Sequence, residues 1–311
     1  MVKIRVVDYV AKFLVEKNIK HIFTLTGGGA MFLNDGIAKE PSIKPIFHHH
    51  EQAATMAAVA YSKVNNTVGV VMPTTGCGGT NCVTGLLDAW QDSNKLMVIS
   101  GQVNKKETTR LCKVPLRKFG VQEADIISIV SSITKYSVMV EKAEDIAYEL
   151  EKAYYICEEG RPGPVWIDIP MDIQGSYINE EDLNHFIPAT EPILNKKSKF
   201  DVLELLLNSK RPVVVAGYGI HLADAREEFK RFTDLYKIPT VFTYLSIHLL
   251  ESEHPNYVGR LGTKGDRAGN FAIANSDLII SIGSSLSVSV TGFNYKLFGR
   301  EAKKVVIDIE F

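Results

Sequence analysis

Val68-Gly69-Val70-Val71-Met72-Pro73-Thr74-Thr75-Gly76-Cys77-Gly78-Gly79-Thr80-Asn81 opens with an apolar, β-branched run as long as a buried strand. A glycine-rich loop over 73–79 then feeds a helical pattern over 80–90. The same strand–loop–helix order recurs on both sides. Upstream, Ile22-Phe23-Thr24-Leu25 runs into Gly27-Gly28-Gly29 and a helix over 30–37, and a strand ending at Phe47 runs into a helix over 51–64. Downstream, strands are expected at 96–100, 136–140 and 165–169, with helices at 125–130 and 143–159. Short Val- and Ile-rich strands alternating with helices predict a parallel sheet covered on both faces. A second such unit starts near Phe200, with strands at 212–216, 240–242, 278–282 and 304–309. The expected fold is α/β with two parallel-sheet domains, the second Rossmann-like, joined through a polar, proline-containing stretch.

Composition agrees with two domains: the chain has 311 residues, against roughly 150 per domain. Apolar residues at 45% and charged residues at 23% fit a globular protein with real cores. With 35 basic against 36 acidic residues and no Lys/Arg run of five, nothing favours nucleic acid or a membrane surface. The N-terminus enters a helical pattern with no apolar leader, and no apolar stretch approaches ~18 residues, so a cytoplasmic location is expected. Cys77, Cys82, Cys112 and Cys157 form no CxxC pair and no zinc spacing, and free thiols are expected.

Several motifs fall short of familiar chemistry. Gly27-Gly28-Gly29 has Phe32 where a dinucleotide fingerprint needs a small residue, and Gly217-Tyr218-Gly219 has Leu222. Both triplets could equally be tight turns or ligand sites beyond the strand ends. His48-His49-His50 cannot converge on one ion from a strand, where neighbours alternate faces, so no metal ligands are expected in this chain. Glu51 leads a helix of small and apolar residues. It reads either as an exposed acid favoured by the helix dipole or as a buried functional carboxylate. The loop 76–81 could cradle a phosphate or admit a planar ring close to its backbone.

In this order, the pieces resemble the acetolactate synthase-like family of thiamine diphosphate (ThDP) enzymes over essentially the whole chain. The resemblance rests on Thr26-Gly27-Gly28-Gly29-Ala30, His50-Glu51-Gln52-Ala53-Ala54, Thr75-Gly76-Cys77-Gly78-Gly79-Thr80-Asn81, Ser100-Gly101-Gln102-Val103, Gln122-Glu123, Ser132-Ile133-Thr134-Lys135 and the stretch from Gly160-Arg161-Pro162-Gly163 to Asp168-Ile169-Pro170. It implies a pyrimidine-binding domain over 1–178, a linker over 179–196 and a central domain over 197–311. Glu51 is then the catalytic carboxylate that hydrogen-bonds the aminopyrimidine and promotes its imino tautomer, so that thiazolium C2 loses its proton and attacks a 2-keto acid such as pyruvate. That role needs a protonated Glu51 at some point; burial among Ala and Met, which raises its pKa, is expected to outweigh the dipole, which lowers it. Gly28, Gly76, Gly78, Gly79 and Gln122 fall on the pyrimidine side of the cofactor. Arg161, Gly262 and Gly265 leave FAD open as a second cofactor.

Departures accompany the resemblance. Val121 stands where the synthases carry phenylalanine, Met171 where they carry lysine, and the segment 104–120 is longer. The stretch 283–292 lacks the arginine and aspartates of a likely FAD clamp. The family's GDG…NN pattern, which holds the diphosphate through Mg²⁺, is missing. The expectation is therefore a ThDP-dependent decarboxylase or carboligase, closer to members from surface-sugar biosynthesis than to the branched-chain amino-acid enzyme, that works only when a diphosphate-binding domain or subunit with Mg²⁺ completes it. A homo-oligomer is expected, with the Ala-rich face after Glu51 at its interface. The rivals are a non-catalytic regulatory or scaffold protein that kept the fold, and a nucleotide-binding protein using Gly217 and Gly219.

Overall fold

In the computed structural model, which describes residues 3–189 and 199–310, the apolar runs become strands of two separate parallel sheets. The chain divides into two compact units, Met1–Thr190 and Glu191–Phe311.

The first unit runs β1 (Ile4–Arg5), α1 (Val6–Glu16), β2 (His21–Thr24), α2 (Met31–Lys39), β3 (Lys44–Phe47), α3 (Glu51–Asn65), β4 (Gly69–Met72), α4 (Cys77–Asn81), α5 (Val83–Gln91), β5 (Leu96–Gln102), α6 (Ile126–Val130), β6 (Tyr136–Met139), α7 (Ile146–Glu158), β7 (Val165–Pro170), α8 (Met171–Gln174) and β8 (Tyr177–Ile178). Its sheet has six parallel strands in the order β3-β2-β4-β5-β7-β6. Every residue of β5 and β7 is buried, as expected for central strands covered on both faces. One face packs under α1, α2 and α7 through Val10, Leu14, Leu33, Ile146 and Leu150. The other packs under α3, α5 and α6 through Ala54, Ala58, Leu86, Ile126 and Trp166. Truncating a side chain as deeply enclosed as Leu86 costs about 2–5 kcal/mol.

The second unit runs α9 (Lys199–Asn208), β9 (Pro212–Ala216), α10 (Gly219–Leu222), α11 (Arg226–Tyr236), β10 (Thr240–Phe242), β11 (Tyr257–Arg260), α12 (Arg267–Ala274), β12 (Leu278–Ile282), α13 (Val288–Thr291) and β13 (Lys303–Ile307). Its five parallel strands lie in the order β11-β10-β9-β12-β13, with cores on both faces built around Phe242 and Ile280 on one side and Val215 and Ile279 on the other.

Several details differ from the sequence expectation. The helix over 80–90 is two pieces, α4 and α5, interrupted at Cys82, and α4 starts already at Cys77, just after Gly76 turns the chain at φ 61°. Strand β11 hides in a stretch that looks like a loop, since Gly259 interrupts its apolar pattern. Two-residue strands β1 and β8 pair antiparallel and are too short to show a period. Of the expected linker, residues 190–196 lie outside the described residues. Residues 179–189 lie on the first unit: Leu183 joins its core, and Asn184 donates to Asp145. Ala54 and Ala58 of α3 are enclosed by α5 and the first sheet, so the Ala-rich face is largely intramolecular, leaving Ala53, Met56 and Ala60 outward.

Candidate functional site

All strands of the first sheet point the same way, so the loops leaving β2, β4 and β5 gather at one edge. They approach each other as closely as backbones can. A Cβ on Gly101 would lie 2.1 Å from the Gly29 carbonyl oxygen, and one on Gly27 2.5 Å from Thr74 Cβ. Gly29 N–H donates to Thr74 Oγ1 at 3.1 Å.

Glu51 reaches this edge from the start of α3. His50 caps the helix, its ring Nδ1 accepting from Gln52 N–H at 3.1 Å, which gives the histidine run a structural use. His48 Nδ1 lies 3.1 Å from the Ile46 carbonyl oxygen. A side chain in the first turn leans toward the helix N-terminus. The Glu51 carboxylate therefore lies over the 76–81 loop rather than among the Ala and Met residues that follow it, and it is only partly buried. This corrects the expectation of an apolar surrounding. Asn81 Nδ2 donates to Glu51 Oε2 at 2.9 Å, and a Cβ on Gly78 would come within 3.2 Å of Oε1 and 2.7 Å of Thr74 Cγ2. Glycine at 78 keeps the space beside Oε1 clear. Thr55 Oγ1 donates to the Glu51 carbonyl at 2.7 Å, and Gly85 lets α5 approach so closely that a Cβ there would sit 2.7 Å from Thr55 Cγ2. Beneath, burial pushes the Cys82 thiol up to about 12, so it stays protonated.

Gln122 meets the loop from the other side. A Cβ on Gly76 would lie 1.7 Å from the Gln122 carbonyl oxygen, and Gly76 itself is at φ 61°; no other residue fits there. Gln122 holds φ 58°, a left-handed conformation that costs a non-glycine residue about 1–2 kcal/mol. Its neighbour Val121 is 78% exposed. Glu51, Gly76, Gly78 and Gln122 thus form one cradle. Gly79 and Gly28 are at the same edge, but a Cβ on Gly79 would meet Ile126 only at ordinary contact distance, and one on Gly28 would meet nothing within 4 Å.

The remaining candidates lie elsewhere. Arg161 sits before β7, at the opposite edge of the first sheet, with its Nε donating to Ser93 Oγ at 2.7 Å. Gly262 and Gly265 belong to the second unit. Gly262 N–H donates to Asn270 Oδ1 at 2.9 Å and Gly265 N–H to the Gly262 carbonyl at 2.9 Å, so neither offers an amide to a flavin. Gly217 and Gly219 also pack on backbone: a Cβ on Gly217 would be 2.0 Å from the Gly283 carbonyl oxygen, and their N–H groups donate to the Ile282 and Gly283 carbonyls at 2.8 and 2.9 Å. Among the described residues, no group of three or more His, Cys, Asp and Glu side chains could hold a metal ion. No helix among them is long and apolar enough to cross a membrane.

Sequence reasoning missed Asn81 as the partner of Glu51, although it closes the quoted loop motif. It also left Gln102 and Asp168 without a role; the signal was a carboxylate in the middle of an otherwise apolar strand.

Residues 4–129 match the family model described as "Thiamine pyrophosphate enzyme, N-terminal TPP binding domain". Residues 201–311 match the model described as "Thiamine pyrophosphate enzyme, central domain". The acetolactate synthase large subunit of Lactococcus lactis is 36% identical over 308 residues, covering 97% of this chain and 51% of the relative. The probable acetolactate synthase large subunit of Methanocaldococcus jannaschii is 33% identical over 313 residues, with coverages of 97% and 51%. That of Porphyra purpurea is 33% identical over 305 residues, with coverages of 96% and 50%. The chain spans about half the length of these curated relatives.

Proposed function

The chain belongs to the thiamine pyrophosphate enzyme family, as its N-terminal and central domains, and on that premise we propose that it is the pyrimidine-side part of a ThDP-dependent 2-keto acid decarboxylase or carboligase. Pyruvate is the expected donor substrate, by analogy with the acetolactate synthases among its relatives. The observation that carries the proposal is the convergence of Glu51, Asn81, Gly78, Gly76 and Gln122 on one cleared edge of the sheet. A scaffold that merely kept the fold has no use for a partly buried carboxylate facing a glycine, nor for a strained Gln122.

The cradle fits a flat, hydrogen-bonding ring. Asn81 occupies Glu51 Oε2, leaving Oε1 beside Gly78 for a ring nitrogen. Glu51 would hold a proton at that atom and hand it to and from the ring, a task that general acid–base groups perform with gains of about 10²–10⁴ in rate. Gly78 would let the ring lie against the loop, and Gln122 would border it from the far side. When bound, thiamine diphosphate supplies the electron sink that a 2-keto acid needs to lose carbon dioxide. In this reading the diphosphate and its Mg²⁺ would be held by a further domain or subunit. FAD has no part in this reading, because the amides of Gly262 and Gly265 are already committed.

Completing the chain with a ThDP diphosphate-binding domain and adding pyruvate, ThDP and Mg²⁺ tests the proposal. Carbon dioxide release that requires both polypeptides and ThDP is expected. A correctly assembled, ThDP-loaded complex that turns over no 2-keto acid would contradict it.

A further inference from the structure

The unused polar groups of the first unit form one buried ladder that ends at the cradle. Ser100 and Asp168 are register partners on β5 and β7, and residues two apart on a strand share a face. Trp166, Asp168, Ser100 and Gln102 therefore line up along one face of the two central strands. Trp166 Nε1 donates to Ser100 Oγ at 2.8 Å, and Ser100 Oγ donates to Asp168 Oδ1 at 2.6 Å. Gln102 Nε2 donates to Asp168 Oδ2 at 3.0 Å and to the Ala124 carbonyl at 3.0 Å. Gln102 Oε1 accepts from Thr75 Oγ1 at 2.6 Å and from Val103 N–H at 3.0 Å. A primary amide has two N–H groups and two lone pairs, so Gln102 is fully used.

The two outward bonds of Gln102 are the informative ones. Thr75 immediately precedes Gly76, and Ala124 follows Gln122 by two residues. Gln102 thus grips both sides of the tight Gly76–Gln122 contact from below. Asp168 and Gln102 are each only 2% exposed, and Asp168 forms no ion pair among the described residues. A buried carboxyl with no cation is expensive, and one in a strand that could be apolar calls for a reason.

We propose that Gln102, anchored on Asp168, is a positioning residue that fixes the Gly76 turn against the Gln122 segment and so sets the width of the pyrimidine cradle. The proposal rests on reading this edge as that cradle. Burial pushes the Asp168 carboxyl up to about 7, and the hydrogen bonds from Ser100 and Gln102 oppose the shift; the bond from Gln102 survives in either protonation state, because one oxygen remains an acceptor. An asparagine can do the same, accepting from Gln102 with its carbonyl and donating to Ser100 with its amide.

Hydrogen–deuterium exchange on the full chain, without cofactor, tests this. Gln102→Ala is expected to speed exchange about tenfold in segments 74–80 and 120–126 while the amides of β4, β5 and β7 keep their protection. Asp168→Ala should reproduce the effect, and Asp168→Asn should not. Thr75→Val, a milder change that removes only one of the two outward bonds, should loosen 74–80 alone. Unchanged exchange in both segments for Gln102→Ala, a uniform loss of protection across the unit, or loosening of both segments by Thr75→Val would overturn the proposal. If Gln102→Ala does not fold, the Thr75 and Asp168→Asn results still discriminate. The readout needs no catalysis, so it stands or falls separately from the functional proposal.

Discussion

Asp168 shows how one buried group ties stability to pH. Its carboxyl titrates at about 7 in the folded chain, against roughly 3.9 when unfolded. Between those values the unfolded chain has lost the proton and the folded chain keeps it, so unfolding releases a proton and stability falls as pH rises. Above the folded value both states are ionised and the effect levels off. Asp125 pushes the same way and Arg110 opposes it, both weakly. Asp168→Asn removes this titration while keeping the hydrogen bonds. The stability of the asparagine variant relative to the parent, followed by urea denaturation, should therefore grow from pH 4 to about 7 and then stay level. A difference that is flat across that range would mean that Asp168 is ionised throughout. The sequence contains Asp168 in plain view, but only the register with Ser100 reveals what it touches. Glu51 was legible as a candidate from its place before a helix of small residues, whereas its partner Asn81 required the path of the loop.

At the scale of elements, the position of Glu51 depends on how closely α3 and α5 pack. Gly85 is the contact: a Cβ there would sit 2.7 Å from Thr55 Cγ2 and 3.2 Å from the Met56 amide. Gly85→Ala gains about 1 kcal/mol of helix propensity but overpacks a close helix contact, a change that typically costs about 1–3 kcal/mol. A net loss of stability is expected by chemical denaturation. Adding Thr55→Ser, which removes the nearer of the two obstructing Thr55 carbons and keeps the hydroxyl on the Glu51 carbonyl, should restore a part of it, the Thr55 Cβ at 2.8 Å remaining in the way. Full additivity of the two changes would show that the helices do not meet at this point. Elements of this kind were readable wherever a periodic apolar run was long, as in β5 and α7. They were lost where a glycine broke the pattern, as in β11, or where two residues sufficed, as in β1 and β8. The early start of α4 follows the turn at Gly76, where the Gln122 carbonyl, some 46 positions away in the sequence, leaves no room for a side chain.

For the whole molecule, alternating strands and helices were enough to predict two parallel α/β units, because that topology leaves few alternatives. The close approach of the strand-end loops was legible for the first unit through its glycines and not for the second. There Gly217, Gly262 and Gly265 look the same in sequence but serve backbone packing and internal hydrogen bonds. The proposed function assigns Glu51, whose Oε1 lies beside Gly78, to a ring nitrogen of the cofactor. The most direct test is ThDP-dependent carbon dioxide release from pyruvate by the completed enzyme carrying Glu51→Gln. Turnover should fall about 10²–10⁴-fold, with ThDP affinity changed far less because the diphosphate is held elsewhere. Turnover equal to that of the parent would contradict the assignment of Glu51 and, with it, the proposed function of this edge.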